Sequence, residues 1–128
     1  MPLTNDTRFF ALKEFSHPEL MDADFVDFLN AVRFEYGNPI KLTSDARTPA
    51  ENAAASGSSP KSRHLVGQAV DMQFPPTANH LWRLVEAVVH CQRTQPIELE
   101  IVHGPADAHI HLAWLAPGRA SSLIVALD

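Results

Sequence analysis

Four of the seven histidines, His64, His103, His109 and His111, fall at loop-to-strand junctions or in strand-like segments, close in sequence to Asp71 and Asp107. Imidazole nitrogen and carboxylate oxygen are donors that zinc accepts readily. A strand places residues i and i+2 on one face, so His109 and His111 point the same way, joined by Asp107 if the strand begins that early. An H-x-H pair alone is equally the mark of a solvated strand face. Taken with His64 and Asp71 of "SRHLVGQAVD", it supplies enough ligands for one metal ion. Three protein ligands would leave a fourth position open to water, as in catalytic rather than structural zinc sites. His17, His80 and His90 lie where a helix or a cap accounts for them.

Alternating helix and strand signals must position these groups. From Asp22, "DADFVDFLNAVRFEYG" carries Phe25, Phe28, Leu29, Val32 and Tyr36 at helical spacing, with Asp22 as cap and Gly37 as stop. "IKLTS" reads as a half-buried strand, and "ARTPAENAAA" as a loop entering a short helix capped by Thr48, with Pro49 in its first turn. "SGSSPKS" has turn composition, and "QAVDMQF" reads as a strand stopped by Pro75 and Pro76. "TANHLWRLVEAVVHCQ" carries Leu81, Leu84, Val85, Val88 and Val89 at helical spacing. "IELEIVH", "HIHLAW" and "SSLIVAL" complete a set of five strands and two principal helices. Gly-Pro and Pro-Gly punctuation in the last third predicts an antiparallel meander and an α+β domain.

Composition narrows the function classes. A chain of 128 residues with 45% hydrophobic content is expected to form one domain, residues 1–128, with a single core. No apolar run is long enough to span a bilayer, so no membrane partner is expected. The start, "MPLTNDTRFF", lacks the basic and apolar regions of a secretory signal. A net charge of -5 with scattered Lys and Arg offers no footprint for nucleic acid, which is not expected as a partner. The lone Cys91 excludes an internal disulfide and is expected to pack in a helix.

"SRHLVGQAVD" matches every defined position of S-x-H-x-x-G-x-A-x-D and so resembles the signature of the zinc-dependent D-alanyl-D-alanine carboxypeptidases and peptidoglycan endopeptidases. This family, peptidase M15, includes VanX- and VanY-type enzymes and several phage endolysins. Upstream, "LTSDARTPAENAAASGSSPKSRH" is similar to the family's Ser-x-x-Arg strand end and following loop, and "ELEIVHGPADAHIHLAW" to its closing strand pair. "FFALKEFSHPE" is similar to the opening of short phage-type members, so the likeness runs from about residue 9 to residue 115.

The resemblance implies an α+β fold of the hedgehog and DD-peptidase type, a central antiparallel sheet flanked by helices. It implies that His64, Asp71 and His111 bind Zn2+, with Gly67 turning the chain between two ligands and Ala69 keeping the strand narrow. Arg47 matches the arginine that lies beside the zinc and meets a substrate carboxylate or carbonyl oxygen. Ser62 matches a serine that positions the peptide's end, although a hydroxyl capping its own backbone fits the same residue. The implied reaction is hydrolysis of a peptidoglycan peptide bond. Many members carry Asp or Glu three residues before the last zinc histidine, where this chain has Ala108. Asp107 as base and His109 as oxyanion donor are the substitutes, with Glu100 and His103 in reserve. A non-catalytic zinc domain in a phage virion or tail, among other virion proteins, is the alternative. On either reading the chain is expected to be made in the bacterial cytoplasm, reaching the wall after phage-mediated release or within a virion.

Overall fold

The helix signals are realised almost residue for residue in the computed structural model, which describes residues 1–55, 59 and 61–127, the Leu127 side chain excepted. Helix α1, Ala23–Tyr36, begins where the Asp22 carboxylate accepts from the Asp24 N–H and ends at Gly37, whose φ of 77° suits a residue without Cβ. It buries Phe25, Val26, Phe28, Leu29, Val32 and Tyr36. Helix α2, Pro49–Ala54, has Thr48 and Glu51 in a reciprocal capping box. Helix α3, Ala78–Cys91, is capped by Thr77 and buries Leu84, Val85, Ala87, Val88 and Cys91. Val89, expected in the apolar stripe, is instead 61% exposed. The buried arc centres on Leu84, Val88 and Cys91, and Val89 lies about 100° round the helix from Val88. Of the turn expected over "SGSSPKS", residues 56–58 and 60 lie outside the described residues.

Among the described residues five strands form one sheet: β1 Leu42–Ser44, β2 Ala69–Gln73, β3 Ile97–His103, β4 Ala108–Trp114 and β5 Ser122–Leu127. Their order is β1-β2-β4-β3-β5. All neighbours are antiparallel except β3 and β5, which are parallel, so the last third departs from the expected meander. The reason is edge availability. A meander would lay β5 along β4, but β2 already occupies the edge of β4 away from β3. The free edge is that of β3, where Ser122 pairs with Glu98 and the chain runs alongside β3.

Alternation then gives the sheet two unlike faces. Val70, Met72, Leu99, Ile101, Ile110 and Leu112 point into the core shared with α1 and α3. Phe25 and Phe28 bracket Trp114, with ring centroids 5.4 and 5.8 Å apart, which fixes α1 over one end of β4. The opposite face carries Asp71 on β2, His109 and His111 on β4, and Glu98 and Glu100 on β3. These polar groups sit directly behind a packed hydrophobic layer.

Candidate metal centre

The first ligand candidate is set by a loop, and the loop by a glycine. His64 lies in the 3-10 turn Arg63–Val66, whose start is capped by the Ser62 hydroxyl accepting from the His64 N–H. The turn closes at Gly67 with φ 69°. A Cβ there would overlap the Leu20 carbonyl oxygen and sit 2.8 Å from Asp22 N. Gly67 therefore answers to both a left-handed backbone and a close approach to the start of α1, whose Asp22 N–H it accepts at 3.1 Å. Next door, the Gln68 amide donates to the Asp22 carboxylate at 2.6 Å. Arg63 donates through Nε to the Trp114 carbonyl at 2.8 Å and also bonds the Gln68 side chain. The turn is thus tied to α1 and to β4 at once.

Ala69 and Ala113 face each other across β2 and β4, both fully buried. Their small side chains let the 3-10 turn pack over the sheet, which brings His64 down beside the strand residues. Register supplies the rest, since Asp71 and His111 are directly paired. The His64 side chain is 4% exposed and its Nδ1 meets the Asp45 carbonyl oxygen at 2.7 Å, where only a ring N–H can satisfy the contact. In the neutral ring that leaves Nε2 as a lone pair, 3.6 Å from Asp71 Oδ1, and in the protonated ring the same nitrogen donates towards that oxygen. The same carboxylate oxygen lies 2.9 Å from His111 Nδ1. One ligand atom from each of His64, Asp71 and His111 falls within 4.8 Å of the others. Two imidazoles and a carboxylate suit a zinc ion, and the set fits one. Burial alone would raise the Asp71 carboxyl. Hydrogen bonds from His111 and His64, with their charge, outweigh it and hold the group well below the ordinary carboxylate range. Burial lowers the His111 imidazole, but the Asp71 contact and charge, with Glu98 and Glu100, raise it overall.

These groups line an open groove of about 790 Å3. Arg47 borders it, with Nη2 3.6 Å from Asp71 Oδ2 and 3.3 Å from Ser44 Oγ, and Nη1 3.4 Å from Asn52 Oδ1. Ser62 also lines it while serving as the turn's cap, so both expected uses of that hydroxyl are compatible. At the other end, Asp107 follows the Gly104 turn, closed by Gly104 N–H to the Asp107 carbonyl at 2.9 Å. Asp107 Oδ1 meets His109 Nδ1 at 2.9 Å, and both border the groove. Of the reserves, Glu100 faces the groove, while His103 stacks on Phe74 with centroids 4.7 Å apart, on the opposite face. His17, His80 and His90 stay outside, against Glu51, Thr77 and Glu35. Two contributors were missed by sequence reasoning. Glu98 stands 3.1 Å from His111 Nε2. Asp45, 4% exposed, holds His64 by its carbonyl and accepts the Ser16 N–H on its carboxylate at 2.9 Å. The alternation of "IELEIVH" could have found Glu98; nothing in the sequence marks a backbone carbonyl.

A one-sided α+β sheet carries a two-histidine, one-aspartate cluster, part-buried in an open groove, whose ligand atoms could hold a metal ion. The Peptidase M15 family model matches residues 10–113, and the chain belongs to that family. A search of curated proteins gave no match. Membership implies a peptidase and a peptide substrate.

Proposed function

We propose that this chain is a zinc peptidase that hydrolyses a peptide bond in the stem or cross-bridge peptides of bacterial peptidoglycan. The observation that carries the reading is the convergence of His64 Nε2, Asp71 and His111 on the floor of an open groove, in a chain of the M15 family. The chemistry a bound zinc ion supplies there is polarisation of a carbonyl and acidification of water. Asp71, held ionised by its partners, supplies the anionic ligand. Arg47 presents a rigid guanidinium to a carboxylate or carbonyl oxygen of the peptide, and Ser62 borders the same stretch of groove.

Proton handling falls to Asp107 and His109 as a pair. Asp107 is the base expected in place of the residue at 108, and its carboxylate is hydrogen-bonded to His109. Asp107 takes the proton of the attacking water and later delivers it to the leaving amine, held in place by the His109 imidazole. When protonated, the imidazole's outer nitrogen can also donate to the developing oxyanion. The opening "FFALKEFSHPE", similar to that of short phage-type members, supports a phage or prophage origin and action on the wall after release.

The test is murein incubated with the protein, with and without a chelator, scored by new amine groups. The expected result is release with zinc, loss on chelation and recovery on adding zinc back. Protein that binds zinc but releases nothing would instead support the non-catalytic virion component.

A further inference from the structure

The two candidate ligand histidines use opposite ring nitrogens. His64 faces the cluster with Nε2 because its Nδ1 is engaged by the Asp45 carbonyl. His111 faces it with Nδ1, 2.9 Å from Asp71 Oδ1, and its Nε2 points away to Glu98 Oε1 at 3.1 Å. A ring nitrogen that binds a metal carries no proton, so the other nitrogen carries one and needs an acceptor when little water reaches it. The His111 side chain is only 17% exposed, and Glu98 stands where that acceptor must be.

How Glu98 gets there follows from register. Glu100 is directly opposite His111 on β3, while Glu98 is opposite Ala113. Ala113 has no side chain beyond Cβ to block the way, and Glu98 reaches diagonally to the imidazole. Such a diagonal neighbour lies about 7–8 Å away along the strands, a gap that a long side chain spans.

We propose that Glu98 is a positioning residue: it accepts the His111 Nε2–H, fixes the ring's tautomer and rotation, and so commits Nδ1 to the metal. This rests on the zinc reading above. Glu98 supplies for His111 what a backbone carbonyl supplies for His64, and the carboxylate–histidine–metal relay raises the basicity of the ligating nitrogen.

The experiment uses the whole chain and two readouts that need no peptidase activity. Zinc affinity, measured by competition with a chromogenic chelator, should fall by about 10–100-fold in Glu98→Ala. In Glu98→Gln, which keeps an acceptor oxygen, most of the affinity should remain. In zinc-loaded wild-type protein labelled with 15N-histidine, His111 should show a protonated Nε2 and a metal-bound Nδ1. Unchanged affinity in Glu98→Ala, or zinc on Nε2 of His111, would overturn the assignment while leaving the metal centre intact. Should Glu98→Ala fail to fold, Glu98→Gln and the labelled wild type still decide it. Wild-type protein that binds no zinc would overturn the metal reading, and this assignment with it.

Discussion

The two ends of the groove are built differently. At one end the side chains of His64, Asp71 and His111 are 4%, 15% and 17% exposed, and each is braced by a neighbour on a different element. At the other, the Asp107 side chain is 59% exposed, and among the described hydrogen bonds its carboxylate is held by His109 alone. The candidate metal cradle is assembled from parts of the fold hydrogen-bonded to one another: the 3-10 turn, β2, β4 and the start of α1. The candidate proton-handling pair straddles the start of β4, with Asp107 in the exposed turn and His109 paired within the sheet. On the proposed function the contrast is a division of labour, with dense bracing where an ion would be held and exposure where a proton would be passed.

The largest effect that would break this comparison is on activity. Asp107→Asn should keep its fold and its zinc while losing about 10²–10⁴ of the hydrolysis rate, the range general-base catalysis is worth. Paired measurements of metal content, melting and amine release check it. Full activity in that variant, with loss on Glu100→Gln, would move the base to β3 and leave the hairpin without a role.

A smaller but sharper effect is expected at the cradle. Gly67→Ala combines a left-handed φ, a strain of about 1–3 kcal/mol, with overlap against the Leu20 carbonyl. Denaturant unfolding should show a loss larger than strain alone, accompanied by weaker zinc binding. A stability unchanged within error would mean that the turn is not wedged against α1.

The smallest effect concerns the metal-free protein. The Asp71 carboxyl is lowered from 3.8, so its contribution to stability is present above that pH and is lost as pH falls through the folded value. The His111 imidazole is raised from 6.5, so its contribution is present below that pH and is lost as pH rises through the folded value. Thermal melts of chelated protein should therefore peak between these two ordinary values and decline on either side. A melting temperature that stays unchanged as pH falls below the lower value and rises above the higher one would show that the pair contributes little without metal.

Much of the cradle was legible because it is local or periodic. His64 and Asp71 stand in one short stretch, Gly67 between them is forced by backbone geometry, and His109 and His111 share a face by alternation. The helices were legible from caps and stripes, with Val89 misplaced because neighbouring apolar positions blur the edge of a stripe. What the sequence hid depends on pairing. Which edge β5 takes follows from β2 lying beside β4, and which glutamate meets His111 follows from the β3–β4 register. Asp45 acts on His64 through a carbonyl that any residue would carry. The candidate base was hardest to read, because Ala108 stands at the family's usual place and the hydrogen bond joining Asp107 to His109 exists only once the hairpin has folded.

The most direct test of the central claim is anomalous diffraction at the zinc edge from crystals of the zinc-loaded chain. The account predicts one strong peak per chain, bounded by His64 Nε2, the Asp71 carboxylate and His111 Nδ1, and its disappearance in crystals of His64→Ala. A peak elsewhere on the molecule, or one of full strength that survives His64→Ala, would contradict it.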